Sequence, residues 1–143
     1  MIWPAEAALD AESIGLAAEL ATAELARNGT TAILDMGTTH HADALAAVVE
    51  RSGLRATLGP ALMDQGPDAA RPLLTSAEEA LASFERFAAR FDGAGDGRLS
   101  AALCPRFVPS VSETPGASSP RAPTSRASPF TPTPPRPRRS ARR

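Results

Sequence analysis

Few side chains in this sequence are equipped for chemistry, and most stand just past stretches that read as strands. Asp35, Thr38, Thr39, His40 and His41 follow the apolar run Thr31-Ala32-Ile33-Leu34, Asp64 follows Ala61-Leu62-Met63, and Arg106-Phe107 follow Leu99 to Leu103. These positions hold carboxylates, two imidazoles and a guanidinium, groups that move protons or grip a polar ring. Taken singly, each has a plainer explanation. Thr39 or His40 starts a helix, Asp35 accepts from loop amides, and Arg106 neutralises a neighbouring acid. Taken as a set, with Arg106 foremost, they point to a site, because parallel α/β folds collect functional groups beyond the carboxyl ends of their strands.

Other chemistries find less support. Adjacent residues such as His40 and His41 do not converge on one ion, and no third ligand is spaced near them. A catalytic zinc takes three protein ligands and a water, so no metal ligand and no catalytic residue is assigned. His41 reads as a helix-start residue. The deaminase signature H-x-E with P-C-x-x-C is absent, since the single cysteine, Cys104, precedes Pro105 and has no partner. Cys104 reads as a small buried strand residue, and one cysteine forms no internal disulfide. The glycines of residues 93–97 follow a helix instead of opening one, so they are no dinucleotide fingerprint.

The elements that must position these groups alternate. Ile14, Ala17, Ala18, Ala21 and Leu25 recur at helical spacing between Ala11 and Asn28, and Gly29 stops that helix. Thr31 to Met36 reads as a strand covered on both faces. A helix over residues 41–52 buries Leu45, Val48 and Val49 and ends at Gly53. Arg55 to Met63 is predicted as one strand. Ser76 and Glu79 form a capping box for a third helix, with Leu81, Phe84, Ala88 and Phe91 as its buried stripe and Phe87 beside it. Residues 93–97 are a turn, and Leu99 to Leu103 is the third strand. This helix-strand alternation predicts a parallel sheet with right-handed crossovers.

Charge divides the chain in two. Its 143 residues carry a net charge of -1, yet all 16 carboxylates lie at or before Glu113. The last 30 residues hold seven of the 15 arginines, eight of the 14 prolines and no acid. From Thr114 onward there is no periodicity and no material for a core, so residues 114–143 are expected to be disordered. No stretch is long and apolar enough for a membrane span, and the first residues lack a signal peptide's basic start, which predicts the cytoplasm.

The stretch Gly29-Thr30-Thr31-Ala32-Ile33-Leu34-Asp35-Met36-Gly37-Thr38-Thr39-His40-His41 resembles the second barrel strand of the metal-dependent amidohydrolase superfamily. Gly53-Leu54-Arg55-Ala56 and Ala61-Leu62-Met63-Asp64 resemble the next strand. Pro105-Arg106-Phe107-Val108-Pro109-Ser110, with Ser112-Glu113, is similar to the fourth-strand segment of the aminohydrolase branch, which contains guanine and adenosine-type deaminases and chlorohydrolase-like enzymes. The resemblance covers roughly residues 2–113.

It implies α/β architecture in the form of a partial (β/α)8 TIM barrel of about three strand-helix units, over residues 1–113. It also implies hydrolysis of an amino group from a purine-like or related heterocycle by a metal-activated water, with Arg106 and Phe107 contacting the substrate. His40, His41 and Asp64 would line the barrel mouth without an assigned role. The family's divalent metal, zinc or iron, would find none of its ligands here, and none is expected to bind this chain. The intact family is often homo-oligomeric.

The chain therefore reads as a truncated piece that is inactive alone, with residues 114–143 out of frame. Read one base earlier, the codons for Phe130 to Pro134 are compatible with Val-His-Thr-His-Ala, which resembles the branch's fifth strand. The alternative is a small α/β interaction module. Its Pro134-Pro135-Arg136-Pro137-Arg138-Arg139 arm would dock on an SH3-type groove or on a polyanion. No specific nucleic acid and no membrane is expected as partner.

Overall fold

Helix boundaries follow from their caps. In the computed structural model, which describes residues 2–112, the Asp10 side chain accepts the Ser13 amide at 2.8 Å and opens α2 (Ala11–Arg27). The short α1 (Ile2–Ala7) precedes it and buries none of its own residues. Gly53, at φ 84°, ends α3 (Ala42–Ser52), and the Ser76–Glu79 capping box opens α4 (Ala77–Phe91). Asp10 and Ser76 satisfy amides that a helix start leaves without partners.

Between these helices run β1 (Ala32–Asp35), β2 (Arg55–Leu58), β3 (Ala61–Leu62), β4 (Leu99–Ala101) and β5 (Cys104–Pro105). All pairings are parallel: one sheet has the order β1-β2-β4, and β3 pairs with β5. The mixed α/β class and the parallel sheet expected from the alternation are both present. The features expected of residues 114–143, namely disorder, a polyproline docking arm and a polyanion-binding arginine cluster, lie outside the described residues.

Four details differ from the sequence-based expectation. The run Arg55 to Met63 is two strands, because Gly59 and Pro60 interrupt it, and of Leu99 to Leu103 only Leu99–Ala101 is strand, with β5 following separately at Cys104–Pro105. The cause lies in the backbone: a Cβ on Gly59 would overlap the Ala102 carbonyl oxygen, and one on Gly37 would overlap that of Gly59. Glycine at these positions lets three backbone segments meet at the sheet's carboxyl end. Secondly, β1 is covered on one face only, since it is an edge strand with helices on one side; Leu34 is 81% exposed. Thirdly, the buried side of α4 is Ala80, Phe87 and Phe91, while Leu81 is exposed. Fourthly, Ala17 and Ala21 of α2 face solvent, and Thr22 takes the buried place beside Ile14 and Ala18.

The core forms where α3 and α4 cover one sheet face. Ala42, Ala46 and Val49 of α3 and the tilted Phe87–Phe91 ring pair, 4.9 Å apart, enclose Ala56, Leu58 and Leu99. That packing fixes β2 and β4, and therefore where their carboxyl ends release the chain.

Candidate functional site

Arg106 leaves β5 with its amide bonded to the Leu62 carbonyl at 3.0 Å, which carries the β3–β5 pairing one residue further. Its guanidinium meets Glu6 of α1 at 2.6 Å through Nη2 and 2.9 Å through Nη1, a two-point contact. Glu6 also accepts the amide and the hydroxyl of Thr39, both at 3.3 Å, and Nη1 lies 3.5 Å from the same hydroxyl. The two charged side chains are 14% and 11% exposed. Burial raises the Glu6 carboxyl. The Arg106 and Thr39 hydrogen bonds and the guanidinium charge outweigh it and hold the group below its ordinary value. The plain reading of Arg106, that it neutralises a neighbouring acid, is what the geometry shows. Glu6 was missed because only the fold brings it across 100 residues of chain.

The next residue is Phe107, 42% exposed. Its backbone is pinned by Ser110, which is fully buried: Ser110 Oγ donates to the Phe107 carbonyl at 2.8 Å and accepts its amide at 3.1 Å. The Ser110 carbonyl accepts the Asp64 and Gln65 amides at 2.9 and 3.1 Å. Asp64 accepts the Ser112 amide at 2.8 Å and the Ser112 hydroxyl. Asp64 thus clamps the loop that presents Phe107. Ser110 carried no signal in the sequence beyond its place in Val108-Pro109-Ser110.

The histidines sit elsewhere. His40 Nε2 donates to the Pro72 carbonyl at 3.0 Å. His41 occupies the α3 N-cap in left-handed backbone, φ 59°, and makes no side-chain cap. Their ring centres are 6.4 Å apart. They flank two adjoining cavities of about 300 and 370 Å³ that share Thr39, Pro60, Ser83 and Arg86. Asp35 accepts the Gly37 amide at 3.0 Å, as its plain reading held. Cys104 is half-buried in β5, and burial together with the nearby Asp35 raises its thiol.

These residues do not fit a metal centre: among the described residues no three His, Cys, Asp or Glu side chains gather for one ion. What the corner presents is a guanidinium held by Glu6 and, in the next residue, a partly exposed aromatic side chain. No helix among the described residues is long and apolar enough to cross a membrane.

Comparison with known proteins bears on the same span. Residues 4–114 match the amidohydrolase family. Over 110 residues the chain is 40% identical to 5-methylthioadenosine/S-adenosylhomocysteine deaminase of Natronomonas pharaonis, covering 75% of this chain and 23% of that protein. It is 36% identical over 112 residues to 5'-deoxyadenosine deaminase of Methanosarcina acetivorans, covering 78% of this chain and 24% of that one. Among solved structures, E. coli guanine deaminase superposes with a TM-score of 0.69 at 32% identity, over 78% of this chain and 26% of that chain. The chain spans about a quarter of the length of the curated relatives it matches.

Proposed function

The chain belongs to the amidohydrolase family, and from that premise we propose that it carries the substrate-holding corner of a hydrolytic deaminase acting on a purine-like or related heterocycle. Residues 1–113 are, in this reading, an arc of a (β/α)8 barrel of about three strand-helix units. The observation that supports the proposal is Arg106-Phe107: a guanidinium and an aromatic side chain at the carboxyl end of a parallel strand pair, within a span similar to three deaminases.

Arg106 orients a polar edge of the ring, Phe107 covers its face, and Asp64 and Ser110 hold the loop that carries them. The family is generally metal-dependent, and zinc or iron belongs to the reading for the longer protein. No step is assigned through a metal, because the described residues do not fit one. The chain by itself is proposed to be inactive and to reside in the cytoplasm, with a small heterocycle as the substrate of the longer protein. Residues 114–143 are proposed to be out of frame with the coding sequence. An intact His-Thr-His-Ala segment in the alternative frame of the coding DNA supports that reading, and stop codons there end it.

A graft tests the function. Residues 4–112 replace the matching quarter of E. coli guanine deaminase, and ammonia release from guanine and adenine is measured. A folded chimera that releases ammonia, with Arg106→Ala and Phe107→Ala each reducing the rate roughly 100-fold, supports the proposal. A folded chimera indifferent to both substitutions overturns it.

A further inference from the structure

We propose that Asn28-Gly29 is a self-modification site, where the chain converts its single asparagine to an aspartyl or isoaspartyl residue, and that opening of the last turn of α2 gates the step. The chemistry needs a side-chain amide, an unhindered backbone nitrogen directly after it, and water. Gly29 supplies the nitrogen: it has no Cβ, and one placed there would meet nothing within 4 Å. Both residues are exposed, so water reaches them. The chain's other side-chain amide, Gln65, also precedes a glycine, but it is worse placed. Its ring would take one more carbon, and a Cβ on Gly66 would lie 2.7 Å from Met63 Cε.

In the reaction the Gly29 nitrogen attacks Asn28 Cγ, and the new N–C bond closes a succinimide ring. The Gly29 amide proton passes through water to Nδ2, which leaves as ammonia. A water molecule then opens the ring at either carbonyl. Opening at Cγ gives aspartate in an ordinary backbone. Opening at the main-chain carbonyl gives isoaspartate, with Cβ and Cγ now part of the chain and the old carbonyl a free carboxylate. Nothing is oxidised or reduced, and the ammonia is capped at one per chain, which separates it from turnover.

The folded helix end holds the reacting atoms apart. Asn28 is the C-cap of α2 at ψ 7°, which turns the Gly29 nitrogen away from the Asn28 Cβ, so ring closure requires it to swing round. Asn28 Nδ2 donates to the Glu24 carbonyl at 2.9 Å, the Gly29 amide to Ala26 at 3.1 Å and the Thr30 amide to Leu25 at 2.9 Å. All three bonds belong to the last turn, the part of a helix that frays first.

Either product loosens the entry to β1. A carboxylate at position 28 cannot donate to the Glu24 carbonyl, and its charge faces the negative end of the helix. Isoaspartate also lengthens a connection pinned at both ends, by the Thr30–Leu25 bond and by the Thr31 carbonyl, which accepts the Arg55 amide at 3.0 Å.

The experiment holds the full chain in warm, mildly alkaline buffer and follows ammonia, intact mass and fragmentation of peptide 25–50, which glutamate-specific cleavage releases. Amide exchange is followed on the 15N-labelled chain. That peptide is expected to gain the mass of NH replaced by O, as a mixture of aspartyl and isoaspartyl forms, and Asn28→Ser to gain none. Chain unfolded in urea is expected to convert roughly tenfold faster than folded chain. Exchange at the Arg55 amide rises with the converted fraction, roughly threefold on full conversion. A folded-chain peptide still unchanged when that of the unfolded chain has fully converted overturns the proposal, as does conversion confined to Gln65. Equal rates in folded and unfolded chain overturn the gate.

Discussion

Arg106 and Glu6 illustrate how one side chain's meaning depends on a partner the sequence does not reveal. Removing Glu6 leaves a guanidinium with little access to water and no counter-charge, which costs far more than an exposed ion pair is worth. Glu6→Ala is predicted to destabilise the chain by about 3 kcal/mol, read as a lower urea midpoint at unchanged slope. The pH dependence has a definite sign. Because the folded Glu6 carboxyl titrates below its ordinary value, the pair's contribution is complete above the ordinary glutamate range and is lost as pH falls through the folded value. The stability gap between wild type and Glu6→Gln should therefore close in acid, and a gap unchanged down to the acid transition would contradict the pairing. Asp35 was legible as a residue that satisfies a loop amide, and Arg106 as one that neutralises an acid. Glu6 and Ser110 were not, since an acid on a six-residue helix and a serine in a Pro-Ser pair look like any other surface residues.

At the scale of elements, periodicity and caps carried most of the fold. Asp10, Gly53 and the Ser76–Glu79 box end or begin helices as their chemistry requires, and the alternation of helix and strand is present in the right order. The breaks in the second and third strands were not legible, because Gly59 reads as an apolar run's neutral member until the Ala102 carbonyl is placed against it. Which α4 residues are buried was also set by neighbours: Leu81 and Phe87 are equally apolar, and only Phe87 faces α3 and β4. Gly59→Ala is predicted to destabilise by about 2–3 kcal/mol by forcing the strand ends apart. It should also disturb the β3–β5 pairing that presents Arg106. Amide exchange at Ala61 and Arg106, which donate to Thr38 and Leu62, measures this; protection equal to wild type would refute it.

Among the described residues the sheet has one covered face and one bare one. Helices α3 and α4 cover the sheet on one side, while Leu34 (81% exposed) and Met36 (41%) lie uncovered along the edge strand β1, and Leu16 and Leu20 of α2 are also exposed. A free edge with apolar side chains invites association. The chain is predicted to sediment faster as its concentration rises, and Leu34→Lys to suppress that; a monomer at every concentration would contradict association through the β1 edge. The family was legible from its strand-end motifs, whereas the extent of coverage was not, because a strand's sequence does not say whether both of its faces are packed. The central claim is that Arg106 and Phe107 form a ring-binding corner. Its most direct measurement is an adenine titration of the labelled chain, with every backbone amide followed. The account predicts shifts centred on Cys104 to Phe107, Glu6 and Thr39, and weakened at least tenfold by Arg106→Ala. Shifts centred instead on the His40–Arg86 cavity, or none at saturating adenine, would contradict it.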